Sequence, residues 1–116
     1  MKRQLAEKRG RQGELRAALY LRAKGWNVLA QRVKTPGGEI DLIAKRGGVV
    51  AFVEVKWRNK AADLDSAIDE YRLQRVAAAA EAVGHLYATK GEDMRIDVLL
   101  LAPGRLPRHI VNAYQP

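Results

Sequence analysis

Residues 37–58 read GGEIDLIAKRGGVVAFVEVKWR. Two apolar runs flank Arg46-Gly47-Gly48, and that turn signal predicts a hairpin of strands 39–45 and 49–57. With Gly47-Gly48 as a two-residue turn, Arg46 faces Val49, Ile43 faces Phe52 and Leu42 faces Val53. Counting on, Asp41 faces Glu54, Ile40 faces Val55 and Glu39 faces Lys56. Side chains alternate between faces with period two. One face therefore carries Ile40, Leu42, Val53, Val55 and Trp57. The other gathers Glu39, Asp41, Glu54 and Lys56, with Ile43, Phe52 and Ala51 continuing beside them. A slip of one residue would turn Asp41 onto the apolar face, which argues against that register.

Carboxylates directly opposite each other repel, and a hairpin that pairs Asp41 with Glu54 carries that cost. Two readings stand at this point. The cluster is either the solvent face of a ribbon with a surface salt bridge, or a set of hard oxygen ligands for a divalent cation. A lysine beside two acids suits the second reading. It can stabilise charge building on an attacked phosphate, or position or deprotonate the attacking water.

Outward from the hairpin, residues 3–25 predict a helix, with Leu15, Ala18, Leu19 and Arg22 at helical spacing and Gly25 as its stop. Trp26 to Val33 suits a strand ended by Thr35-Pro36-Gly37-Gly38. A second helix is predicted over 63–90, capped by Asp63 or Asp65. Its apolar face is Leu64, Ile68, Val76, Ala80, Val83 and Tyr87; Ala77–Ala80 favours close packing, and Gly84 marks a break or bend. Arg95 to Ala102 reads as a buried strand and His109 to Ala113 as a short edge strand. The order α-β-β-β-α-β-β predicts an α/β fold, a mixed central sheet flanked by helices, in a single domain over residues 1–116.

The chain has 116 residues, no cysteine and a net charge of +8. Without cysteine there is no disulfide framework, thiolate metal site or cysteine nucleophile, and a reducing, cytoplasmic setting is expected. The charged start MKRQLAEKRGRQGELR has no apolar core of a signal peptide, and no apolar run reaches membrane length. No P-loop, dinucleotide fingerprint or Ser–His–Asp pattern is present. The positive charge belongs either to an ordinary basic protein or to one with a polyanionic partner, since Lys and Arg beside phosphate release counterions. Lys2 to Arg16 is either a solvated helix face or a rail for a DNA backbone, with Arg9 and Arg11 among its cations. His85 and His109 stand apart and read as surface or packing residues. Trp57 reads as core, Trp26 as the seal of the helix–sheet junction, and Tyr20, Tyr71 and Tyr87 as mostly packing positions.

An acid on one strand followed by Glu-x-Lys on the next resembles the PD-(D/E)xK motif of restriction-endonuclease-like nucleases, here Asp41 and Glu54-Val55-Lys56. More narrowly, GRQGELRAALYLRAKGW, GGEIDLIA, FVEVKWR and RIDVLLL, in that order, resemble the YraN family of small bacterial proteins. That family is largely uncharacterised and is grouped with archaeal-type Holliday junction resolvases. The resemblance covers residues 10–102 and implies a restriction-endonuclease-like fold.

It also implies a Mg²⁺- or Mn²⁺-dependent endonuclease acting on DNA, branched or junction DNA included, with no membrane partner and with a homodimer for paired cuts. By the same resemblance, Asp41, Glu54 and the Val55 carbonyl would hold the metal and Lys56 would act on the water or the transition state. Glu14 would join the metal site; its other reading is a solvated helix residue beside Arg16. Glu39 would back Lys56 or form a plain salt bridge. Arg58 would contact phosphate or stand free on the surface. Arg72 would replace a lysine early in the second helix, keeping the charge but unable to act as a base. No proline precedes the first acid: Ile40 holds that place. Asp97 has no chemistry assigned and reads as structural. The alternatives to the nuclease are a nucleic-acid-binding module without cleavage on the same fold, and an interaction subunit whose acids meet a basic partner.

Overall fold

The structure, a computed structural model, describes residues 2–58 and 69–115, with side chains from residue 11 onward. Helix α1 spans Lys2–Ala23, β1 Asn27–Thr35, β2 Gly38–Arg46 and β3 Val49–Trp57. Helix α2 spans Glu70–Tyr87, β4 Asp93–Leu101 and β5 Arg108–Ile110. This is the α-β-β-β-α-β-β order expected. The five strands lie side by side in chain order. Only β3 and β4 pair in parallel. A parallel pair needs a crossover, and α2 lies on the segment that joins these two strands.

Each sheet face has its own core. On one, Ala17, Ala18 and Leu21 of α1 pack on Leu42, Ala44, Ala51, Val53, Leu99 and Leu101, with Trp26 closing the junction. On the other, Val76, Ala79 and Ala80 of α2 pack on Ile40, Ile43, Val50 and Phe52. The face of α1 differs from the expected stripe. Leu15 and Leu19 are each 55% exposed, whereas Ala17, Ala18 and Leu21 are fully buried. Small side chains let the helix approach closely: a Cβ on Gly13 would already touch Leu101 at 3.7 Å. On α2, Gly84 neither breaks nor ends the helix; it leaves room for Met94, which a Cβ there would strike. The cap of the described helix is Asp69, whose Oδ1 accepts from the Tyr71 and Arg72 N–H groups at 3.0 and 3.3 Å. Asp63, Asp65, Leu64 and Ile68 lie outside the described residues.

The hairpin register is the expected one from Arg46–Val49 to Leu42–Val53. Two placements on it are corrected. Ala51 packs on the α1 face with Leu42 and Val53, not beside the acids. Ile40 packs on the α2 face with Ile43 and Phe52, not with Leu42. The cause is a shared irregularity in β1 and β2. Ala30 pairs with Ile43 and Val33 with Ile40, and all four pack on the α2 face although each pair of neighbours is three residues apart. Strict alternation would put them on opposite faces. Between them Arg32 takes φ +53°, a left-handed conformation. The strands kink together at Arg32 and Asp41.

Gly38 opens β2 against α2. A Cβ there would lie 2.7 Å from the Arg75 carbonyl oxygen, a backbone atom that cannot swing away. Gly38→Ala is expected to cost about 1–3 kcal/mol, read as a lower urea midpoint with an unchanged slope.

At the far edge, Asp97 is fully buried and organises the β4–β5 corner. Arg95 donates to it from Nε and Nη2 at 2.8 and 2.9 Å, and the Asn112 N–H donates at 2.9 Å. His109 Nε2 lies 2.7 Å from its Oδ2. The role is structural, as expected, and His109 is a packing residue within it.

Candidate active site

The kink leaves the Asp41 carboxylate between the strands rather than on a face. Its Oδ2 accepts from the Val55 N–H at 2.8 Å. Burial pushes the Asp41 carboxyl up to about 6; the Val55 hydrogen bond opposes this, and the charges of Glu54 and Glu14 add to it. Asp41, Glu54 and Glu14 therefore share one electrostatic neighbourhood, although Glu14 comes from α1 and the other two from adjacent strands.

Each of the other acids has a cationic partner. Glu54 is 3% exposed and accepts a hydrogen bond from Arg72 Nε on α2. Lys56 Nζ stands 3.6 Å from the same Glu54 oxygen, with its side chain largely buried. Glu14 Oε2 accepts from Arg32 Nε at 2.5 Å. Arg32 also feels Glu39 and Asp41. Glu39 is exposed and lines the rim of a cleft of about 360 Å³ with Asp69, Tyr71, Arg72, Arg75 and Val76. Tyr71 is 70% exposed and is not a packing residue. Arg58 turns back on its own chain, Nη1 donating to the Trp57 carbonyl at 3.0 Å. Arg11 is exposed on α1, and the Arg9 side chain lies outside the described residues.

Arg32 escaped the sequence reading. Upstream of it Val28 packs on the α1 face and Ala30 on the α2 face, and the pairing with β2 shifts register between them. Such a shift marks a bulge, and bulges re-aim side chains.

The donors here are all hard oxygens: three carboxylates and the Val55 carbonyl. That chemistry suits Mg²⁺ or Mn²⁺ and not a thiophilic metal. In position, however, no three acidic or histidine side chains among the described residues are gathered closely enough to hold an ion. Guanidinium groups hold Glu54 and Glu14 instead.

The family model described as "Uncharacterised protein family UPF0102" matches residues 13–101. The chain belongs to the UPF0102 family. This is the YraN family that the motifs resembled, and the match contains Glu14, Arg32, Asp41, Glu54, Lys56 and Arg72. A UPF0102 protein of Erythrobacter litoralis is 75% identical over 116 residues, covering both chains completely. One of Sphingopyxis alaskensis is 60% identical with the same full coverage. Among solved structures, Hjc of Archaeoglobus fulgidus, a Holliday junction resolvase, superposes with a TM-score of 0.58. The identity is 18%, covering 84% of this chain and 72% of that one. The UPF0102 chain thus has the resolvase-like, restriction-endonuclease-like fold expected of it. No helix among its described residues is long and apolar enough to cross a membrane.

The electrostatics of Asp41 make a prediction on stability alone. A carboxyl whose folded pKa is raised weakens the fold progressively as pH climbs from the unfolded value to the folded one, and fully above it, because folding must then keep a charge that the unfolded chain holds at no cost. Asp41→Asn retains an oxygen for the Val55 N–H and sheds the charge. It should be more stable than wild type by about 1–3 kcal/mol at pH 8. The gap should close as pH falls from about 6 toward 3.8, as read by urea unfolding across pH.

Proposed function

We infer that this chain is a divalent-metal-dependent endonuclease hydrolysing DNA phosphodiesters, with branched or four-way-junction DNA as its substrate. The observation that carries the reading is the convergence of Asp41, Glu54 and Lys56 at the point where β2 and β3 part. There burial and the charges of Glu54 and Glu14 push the Asp41 carboxyl up to about 6, against the Val55 hydrogen bond and Arg72. Asp41, Glu54, Glu14 and the Val55 carbonyl would hold Mg²⁺ or Mn²⁺. When bound, the ion supplies Lewis acidity to the phosphate and lowers the pKa of the attacking water.

The remaining work falls to the chain's own groups. Lys56, held beside Glu54, presents its ammonium to the water or to charge developing on the phosphate. Val55 orients Asp41 through its N–H. Arg72, which lines the cleft and donates to Glu54, would contact the same phosphate. Arg58, Arg9 and Arg11 contact neighbouring phosphates, and Glu39 sets the local field at the rim. Four-way junctions require two symmetric cuts, so the active form is a homodimer.

A binding module without cleavage is the second reading, favoured by the pairing of Glu54 with both Arg72 and Lys56. Incubating end-labelled junction, flap, duplex and single-stranded DNA with Mg²⁺ or Mn²⁺ separates the two. Strand cleavage supports the nuclease; salt-sensitive binding with intact strands supports the module.

A further inference from the structure

Tyr71 has no part in the chemistry proposed above, yet its setting is specific. It is 70% exposed on the first turn of α2, where its N–H donates to the Asp69 cap at 3.0 Å. Single exposed apolar groups are ordinary on a protein surface. What sets this one apart is the cleft of about 360 Å³ that it lines with Glu39, Arg72 and Arg75. Clefts that hold a small ligand measure about 300–1,000 Å³. Arg72 also donates to Glu54, so the cleft and the acid cluster share a wall. Arg75 is exposed and has no ion-pair partner among the described residues.

We propose that this cleft takes one unpaired nucleotide of the DNA, its base stacked on Tyr71 and its phosphate against Arg75. The proposal rests on the reading of the site as one for DNA. It names the feature of branched DNA that is recognised, a base outside the duplex. The lining selects that occupant. A groove for the phosphate backbone alone would be cationic throughout, since every phosphate is an anion. Here the Glu39 carboxylate stands at the rim and repels a run of phosphates. A tyrosine ring offers its face to any base, and such stacking tolerates every sequence. A base inside a duplex has both faces covered by its neighbours, so one outside the stack is needed to use the ring. The net charge of +8 draws the strand in.

The test uses the full chain in EDTA, so that binding is read without cleavage. The probes are a forked DNA with 2-aminopurine at its first unpaired position and a fully paired duplex of equal phosphate count. Wild type should prefer the fork and quench the 2-aminopurine fluorescence. Tyr71→Ala should bind the fork about fivefold to 150-fold more weakly and leave the fluorescence unquenched. It should bind the duplex as wild type does, with the same salt slope, because the ring neutralises no phosphate. Tyr71→Phe should keep the quenching and most of the affinity. Arg75→Gln should lower the salt slope on the fork by about one. Both residues are exposed, so neither substitution should move the urea midpoint.

Equal weakening of fork and duplex by Tyr71→Ala, no weakening of either, or unquenched fluorescence with wild type overturns the stacking. Displacement of the fork by deoxyadenosine monophosphate in modest excess also overturns it, by giving the cleft to a free nucleotide. If wild type still cuts DNA with Mg²⁺ or Mn²⁺ after any of these results, the nuclease reading stands without the stacked base. If wild type neither binds nor cuts DNA, both ideas fail.

Discussion

Lys56→Ala is expected to cut four-way-junction DNA at least about 100-fold more slowly than wild type while binding it nearly as well. The size is that of removing one group aimed at charge which develops only in the transition state. Lys56 is suited to this by its place: its side chain is 12% exposed, and it stands 3.6 Å from Glu54. Few water molecules screen an ammonium so placed. Asp41→Ala and Glu54→Ala should lose at least as much, since each removes a candidate metal ligand. Glu54→Ala also leaves Arg72 and Lys56 facing each other without their shared carboxylate. Cleavage rates at saturating DNA separate loss of chemistry from loss of binding. Rates that stay within a factor of two of wild type in all three variants would end the nuclease reading.

Asp97→Ala carries the largest expected loss of stability, about 3–5 kcal/mol, because it strips a buried ionic cluster of its centre. Arg95, His109 and the Asn112 N–H would all lose their acceptor. A domain of this size has about 5–15 kcal/mol of total stability, so the variant should be partly unfolded or close to it. Burial alone would raise the Asp97 carboxyl. Bonds from His109, Arg95 and Asn112 outweigh that and hold it below the usual carboxylate range. The stabilisation is therefore complete above the unfolded value, about 3.9, and fades as pH falls through the lower folded value. The milder Asp97→Asn should differ most from wild type at neutral pH and converge with it in acid. Guanidinium unfolding curves at several pH values read this directly. Equal midpoints at pH 7 would show that the cluster adds nothing net.

These predictions rest on residues that differ in how far the chain alone revealed them. The pairing from Arg46–Val49 to Leu42–Val53 was legible because a two-residue turn sets a hairpin's count, and Arg46-Gly47-Gly48 marked that turn. Glu14 and Arg72 came from resemblance alone, since no local pattern ties a helix residue to a strand 18 positions or more away. Leu15 and Leu19 misled for a specific reason. Hydropathy favours leucine on the buried face, but α1 meets the sheet through Gly13 and Ala17, where small size permits close approach.

By itself the sequence determined the order of elements and the hairpin register from Arg46–Val49 to Leu42–Val53, because turn chemistry and side-chain periodicity act between near neighbours; the family was legible in its motifs. Only the tertiary structure decided which face of α1 is buried, that Ile40 crosses to α2, and that Arg32 and Arg72 become the partners of Glu14 and Glu54. Those outcomes depend on where two helices settle on a kinked sheet. A charge finds its partner through space, and nothing in the local pattern of the chain records that distance.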